Sequence, residues 1–193
     1  MKYLSLIRRR ADLDRPAFRR YYEEVHAPLA LRFFPPQLYQ RNHLDEAAEW
    51  DFDCLSEFAY PDDFDPMHVL EGEAGPLLAQ DEANFIAREF TRSAWGRTLR
   101  SHQPGATGER QRELWLVPHG AGEHNLLACF ERLLPALVPG QGACLEMLEP
   151  YYCESFPFAA LISFEGVFAG ALDPELQALG TLRLAVSCCP SPT

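Results

Sequence analysis

Apolar and polar positions recur with a period of two in several short segments, and near 3.6 in the segments between them. "KYLSLIRR" (2–9) sets Tyr3, Ser5 and Ile7 against Leu4, Leu6 and Arg8, which predicts a strand. "DRPAFRRYYEEVHA" (14–27) predicts a helix. Asp14 is its N-cap and Pro16 lies in the first turn, where a missing N–H costs nothing. "QLYQRNHL" (37–44) and "FDCLSEFAY" (52–60) predict two further strands. A Pro/Asp-rich loop, "PDDFDPMH", precedes a second helix near 75–88, and "EFTRSAW" (89–95) is the closing strand. The order is βαββαβ.

"SHQPGATGER" (101–110) is polar and aperiodic and reads as a linker. The order then returns: strand 113–118, helix 123–137, strands 143–150 and 158–166, short helix 173–180, strand 181–189. The expected domains are therefore 1–100, a linker 101–110, and a degenerate second copy at 111–193. βαββαβ is the ferredoxin-like split, with helices on one sheet face. The strands are rarely polar on either face; in 52–60, Phe52, Cys54, Phe58 and Tyr60 oppose Leu55 and Ala59. Sheets covered on both faces fit that pattern. The expected class is α+β: two tandem ferredoxin-like units whose antiparallel sheets pack into one α+β barrel. Two loosely linked domains are the alternative.

On the first helix Phe18, Tyr22, Val25 and Leu29 share one stripe, with Tyr21 and His26 on its two edges. Pro28 cannot donate to the Glu24 carbonyl, so the helix is expected to break or kink there. His26 would then sit in the final turn, near the negative end of the macrodipole. An imidazole held at the edge of a core suits acid–base work. The plain alternative is a histidine bonding the last carbonyls.

Tyr39, Arg41 and His43 share one face of their strand, and Gln40, Asn42 and Leu44 the other; sequence does not say which face meets the helix. Buried polar groups need partners, so Arg41, Asn42 and His43 either line a pocket or pair with carboxylates such as Glu57. Asp81 lies near the apolar face of the second helix. A local capping role is favoured there; facing inward, it could pair with His26 or His43.

The chain of 193 residues is 47% hydrophobic and 12% aromatic, enough for a sizeable core. Its net charge of −11 argues against nucleic acid as a partner. No run of about 18 apolar residues exists to span a membrane, and the N-terminus reverses the order of a signal peptide, so a cytoplasmic location is expected. Arginine far outnumbers lysine, which hints at a GC-rich bacterial genome. Six cysteines carry no zinc-ligand spacing, and His119 and His124 lie five apart in a Gly-rich turn, so no metal is expected. Nucleotide-binding and hydrolase motifs are absent, and no cofactor is expected.

"FRRYYEEVHAPLALRF" after "KYLSLIRRR", with "YQRNHL" and "QDEANFI", resembles the EthD-like family of the dimeric α+β barrel superfamily. The most characteristic part is His-x-Pro-Leu after an aromatic-rich helix, and the match covers roughly residues 2–100. The resemblance implies a mostly apolar cavity between sheet and helices. It also implies cofactor-free chemistry, of dehydratase, decarboxylase, cyclase or oxygenase type, on aromatic or ketide-like metabolites. His26 would move a proton next to a carbonyl. Tyr22 would orient the ring or donate to a substrate oxygen, and Asn42, His43, Arg41 and Asp81 would bind substrate. The alternative is a non-catalytic binder of a hydrophobic small molecule or haem. The internal repeat permits a monomer with an internal pseudo-dimer; a homodimer is the other option.

Overall fold

The computed structural model describes residues 2–45, 50–102 and 111–191. The chain is α+β and divides into two compact units, residues 1–92 with 189–193, and residues 93–188.

In the first unit β1 (Lys2–Ile7), β2 (Leu38–Leu44) and β3 (Cys54–Ala59) form antiparallel ladders in the order β1-β3-β2. α1 (Arg15–Tyr21) begins as its sequence predicts. Asp14 accepts the Ala17 N–H at 2.7 Å, and Pro16 occupies the first turn. The register puts Tyr39, Arg41 and His43 on the same face as Cys54, Ser56 and Phe58. That face meets the helix, because Tyr39, Cys54 and Phe58 share a core with Phe18, Tyr22 and Phe85. Asn42 pairs across to Leu55 and so lies on the opposite face.

The segment expected as a loop before residue 75 contains a helix, α3 (Pro66–Glu71), followed by α4 (Ala74–Glu82). Its Asp and Pro are start signals: Asp65 caps the Met67 N–H at 2.9 Å and Pro66 fills the first turn.

The helix is not broken at Pro28. α1 passes into a π-helical turn, Tyr22–His26, and then into α2 (Ala27–Ala30). The Ala27 N–H bonds the Tyr22 carbonyl, five residues back. A proline inside an α-helix removes one bond and clashes with the carbonyl four residues before it. The widened turn lets the chain continue helically past that point. It also rotates every later residue against the α-helical count. Val25, on the expected stripe, is 44% exposed, whereas His26, on its edge, is 9% exposed. His26 lies within a helical run and not at its end, so the macrodipole argument does not apply.

In the second unit the ladders run β8-β5-β7-β6-β4, all antiparallel. The strands are β4 (Arg92–His102), β5 (Gln111–Pro118), β6 (Ala143–Tyr151), β7 (Phe158–Glu165) and β8 (Leu182–Pro190). The strand expected to close the first copy is longer than predicted, and it forms an antiparallel ladder with β6. Residues 101 and 102 continue β4; the rest of the expected linker, 103–110, lies outside the described residues. α5 (Glu123–Leu133) buries Leu126, Cys129, Phe130 and Leu133, one helical face. These pack with Trp115, Ile162, Phe164 and Phe168, and with Leu176 of α6 (Pro174–Ala178). Among the described residues no helix is long and apolar enough to cross a membrane.

Candidate functional site

The π-helical turn builds the site. An α-helix places residues five apart well round its circumference, whereas a π-turn bonds residue i to i+5 and brings them towards one face. Tyr21 and His26 are five apart, and both reach the same carboxylate on α4. His26 Nδ1 lies 2.7 Å from Asp81 Oδ2, and the Tyr21 hydroxyl donates to Asp81 Oδ1 at 2.8 Å. Asp81, 8% exposed, is therefore not a cap; it faces inward. Asn84 donates to the Tyr21 oxygen at 3.1 Å, fixing the direction in which that hydroxyl points. Burial pushes the Tyr21 hydroxyl above its usual range, and its bond to Asp81 adds to this.

An ionised carboxylate only accepts, so the shared proton of the pair sits on Nδ1. Nε2 then carries the lone pair, and among the described residues it has no hydrogen-bond partner. A histidine oriented by a carboxylate, with its far nitrogen free, is the arrangement of a general base. The walls are aromatic. Phe85, 1% exposed, lies 4.9 Å from the His26 ring, 5.1 Å from Tyr21 and 5.2 Å from Tyr22, centre to centre. Burial also raises the carboxyl of Glu82, beside Asp81 on α4, against the pull of Arg88 and His26.

Tyr22 lies 5.2 Å from His26, yet its hydroxyl is committed to Ser56 Oγ at 3.1 Å and is pushed well up by burial. It packs the ring and is placed as a wall. His43 and Arg41 form a second cluster, in which the His43 ring centre is 5.8 Å from that of Tyr22. His43 Nε2 is 2.6 Å from Glu23 Oε1, and Arg41 Nη2 donates to Glu23 Oε2 at 2.6 Å. Burial lowers His43, partly offset by Glu23, and leaves its Nδ1 without a partner. An unpaired buried acceptor costs about 1–3 kcal/mol. His43 lines a cavity of about 210 Å³ with Phe18, Arg15, Arg19, Asp45 and Asp53.

Asn42 is fully buried on the opposite sheet face, donating to Glu57 Oε1 at 2.8 Å and the Leu55 carbonyl at 2.9 Å. Glu57 in turn pairs with Lys2. The pairing with Glu57 named as an option from sequence is the one formed, and Asn42 shares no site with His26 in this unit. So His26 and Asp81 come together, Tyr22 stands beside them, Arg41 and His43 form a neighbouring cluster, and Asn42 stands apart. Sequence reasoning passed over Tyr21 and Phe85; the signal for Tyr21 was its five-residue spacing to His26 ahead of a helical proline.

The first unit is thus an α+β domain that shelters a histidine–carboxylate pair between a π-turned helix and α4. The model of the EthD domain family matches residues 10–89, within this unit. No curated protein matches the chain. Among solved structures, a candidate monooxygenase from Lactobacillus acidophilus NCFM is 10% identical, aligned over 98% of this chain and 94% of its own, at a TM-score of 0.55. An anthrone oxidase-like protein is 10% identical over 100% and 93%, at 0.60. A candidate monooxygenase from Fusobacterium nucleatum subsp. nucleatum ATCC 25586 is 9% identical over 100% and 94%, at 0.53. At such identities the likeness shows a shared fold.

Proposed function

We propose that the protein is a small enzyme acting on an apolar, aromatic or ketide-like ketone, with His26 as its base. The observation that carries this reading is the His26–Asp81 contact of 2.7 Å with Nε2 left free, set among aromatic rings. Nε2 takes a proton from a substrate carbon conjugated with the carbonyl. Asp81 stabilises the imidazolium that forms, and Tyr21 holds Asp81 in place. The product of that step is an enolate, the common entry to oxygenation, dehydration and cyclisation. The names of the structurally similar proteins, two candidate monooxygenases and an anthrone oxidase-like protein, favour oxygenation of an anthrone-type ketone, for which we propose dioxygen as the oxidant and no bound cofactor.

His26→Ala tests the assignment on anthrone-type ketones in air. Turnover falls about 10²-fold or more while ligand binding persists; unchanged turnover overturns it. The same reading keeps a single α+β barrel, a monomer with an internal pseudo-dimer and a bacterial, cytoplasmic origin as proposals. Sedimentation at equilibrium tests the monomer.

A further inference from the structure

His26 offers a lone pair at Nε2 only while its proton stays on Nδ1, and a neutral imidazole can carry that proton on either nitrogen. Asp81 holds the proton on Nδ1 as long as its carboxylate stays turned to the ring. Whatever holds Asp81 is therefore part of the site. Its second oxygen accepts from the Tyr21 hydroxyl at 2.8 Å, and the Tyr21 ring is itself stacked on Phe85, 5.1 Å between centres.

Behind Tyr21 stands Asn84. α4 ends at Glu82, and the chain then turns tightly, with the Asn84 N–H bonding the Asp81 carbonyl at 2.9 Å. Residues three apart in such a turn lie on one side of it, so Asn84 follows Asp81 towards Tyr21. Its Nδ2 donates to the Tyr21 oxygen at 3.1 Å and to the Gln80 carbonyl at 3.3 Å. Both partners can only accept here: a carbonyl has no proton, and the Tyr21 proton is committed to Asp81. The direction of the amide is thereby fixed. A hydroxyl that receives a hydrogen bond donates a stronger one, because successive bonds polarise each other. The donors run one way, from Asn84 to Tyr21 to Asp81, and His26 meets the same carboxylate on its other oxygen.

We propose that Asn84 is a positioning residue for His26: acting through Tyr21 and Asp81, it keeps the imidazole proton on Nδ1 and the lone pair on Nε2. This role rests on the reading of His26 as the base, yet it shows in the ring itself, as the choice of tautomer. An exposed asparagine outside the aromatic walls would thus set which nitrogen faces the substrate.

Long-range proton–nitrogen NMR of the full chain reads the two tautomers without any substrate, at a pH where the ring is neutral. The His26 signals are assigned by their loss in His26→Ala. Asn84→Leu removes the donor at unchanged charge, from an exposed position whose φ is not left-handed, so the fold persists. In Asn84→Leu the ratio of Nδ1–H to Nε2–H falls about threefold to tenfold, the size of one neutral hydrogen bond. In Tyr21→Phe, which loses a bond to a charged group, it falls about tenfold or more. Adding Asn84→Leu to Tyr21→Phe changes the ratio no further. Three results overturn the proposal: a wild-type ring protonated on Nε2, a ratio unchanged in Asn84→Leu, or an equal fall when Asn84→Leu is made in Tyr21→Phe. Wild type that holds the Nδ1–H tautomer, loses it in Asn84→Leu and yet exchanges no ketone proton would refute the base and uphold the positioning.

Discussion

Removing the Asp81 carboxylate tests whether the π-turned helix and α4 are tied together through His26. Asp81 is 8% exposed and makes two short contacts, 2.7 Å to His26 Nδ1 and 2.8 Å from the Tyr21 hydroxyl. A hydrogen bond to an ionised group contributes about 1.5–3 kcal/mol. Tyr21 is partly exposed, so water replaces some of its loss, whereas the His26 partner is buried. Asp81→Ala is therefore expected to cost about 2–4 kcal/mol. His26→Ala also loses the ring contacts with Phe85 and Tyr22. The informative quantity is the coupling in the double-mutant cycle, expected near 1.5–3 kcal/mol, measured by urea unfolding followed by circular dichroism. Distant sites add to within about 0.5 kcal/mol. A coupling below that would refute the pair as a structural unit, and with it the orientation of His26.

Two further outcomes follow from the same unit. Phe85→Ala removes the ring that contacts Phe18, Tyr21, Tyr22 and His26. It should cost about 3–5 kcal/mol in unfolding free energy; a loss under about 1 kcal/mol would show that the rings do not pack as described. Acid should weaken the fold through His43, whose folded value burial holds below 6.5. The unfolded chain then binds the proton first. The stability of the neutral ring is complete above pH 6.5 and is lost as pH falls below it. Urea midpoints at pH 7.5, 6.0 and 5.0 should fall more steeply in wild type than in His43→Gln, and equal slopes count against it.

Strands were legible in the sequence because a period of two survives without knowledge of pairing; β1, β2 and β3 lie within two residues of their expected bounds. Pairing itself was not legible. The element order is as read, but the β4–β6 ladder could not be read in advance, because alternation in "EFTRSAW" does not encode a partner. α3 was hidden by counting Asp65 and Pro66 as loop residues when they are a cap and a first turn. At the site, Pro28 announced trouble in the helix, but the outcome was a wider turn rather than a break. The shift of register put Val25 outside, His26 inside, and Tyr21 beside it on Asp81. A wheel drawn at a uniform 100° cannot show that. Asp81 looked like a cap because its partner is 55 residues away in the chain.

Solvent exchange at a carbon acid measures the central claim without depending on any later step. An anthrone-type ketone is incubated anaerobically in deuterated buffer with wild type, His26→Ala and Asp81→Ala, and deuterium at the carbon conjugated with the carbonyl is followed by NMR. His26 as the base predicts exchange well above the buffer rate in wild type, a return to that rate in His26→Ala, and a reduced rate in Asp81→Ala. Exchange in wild type at the buffer rate, or an undiminished rate in His26→Ala, contradicts it.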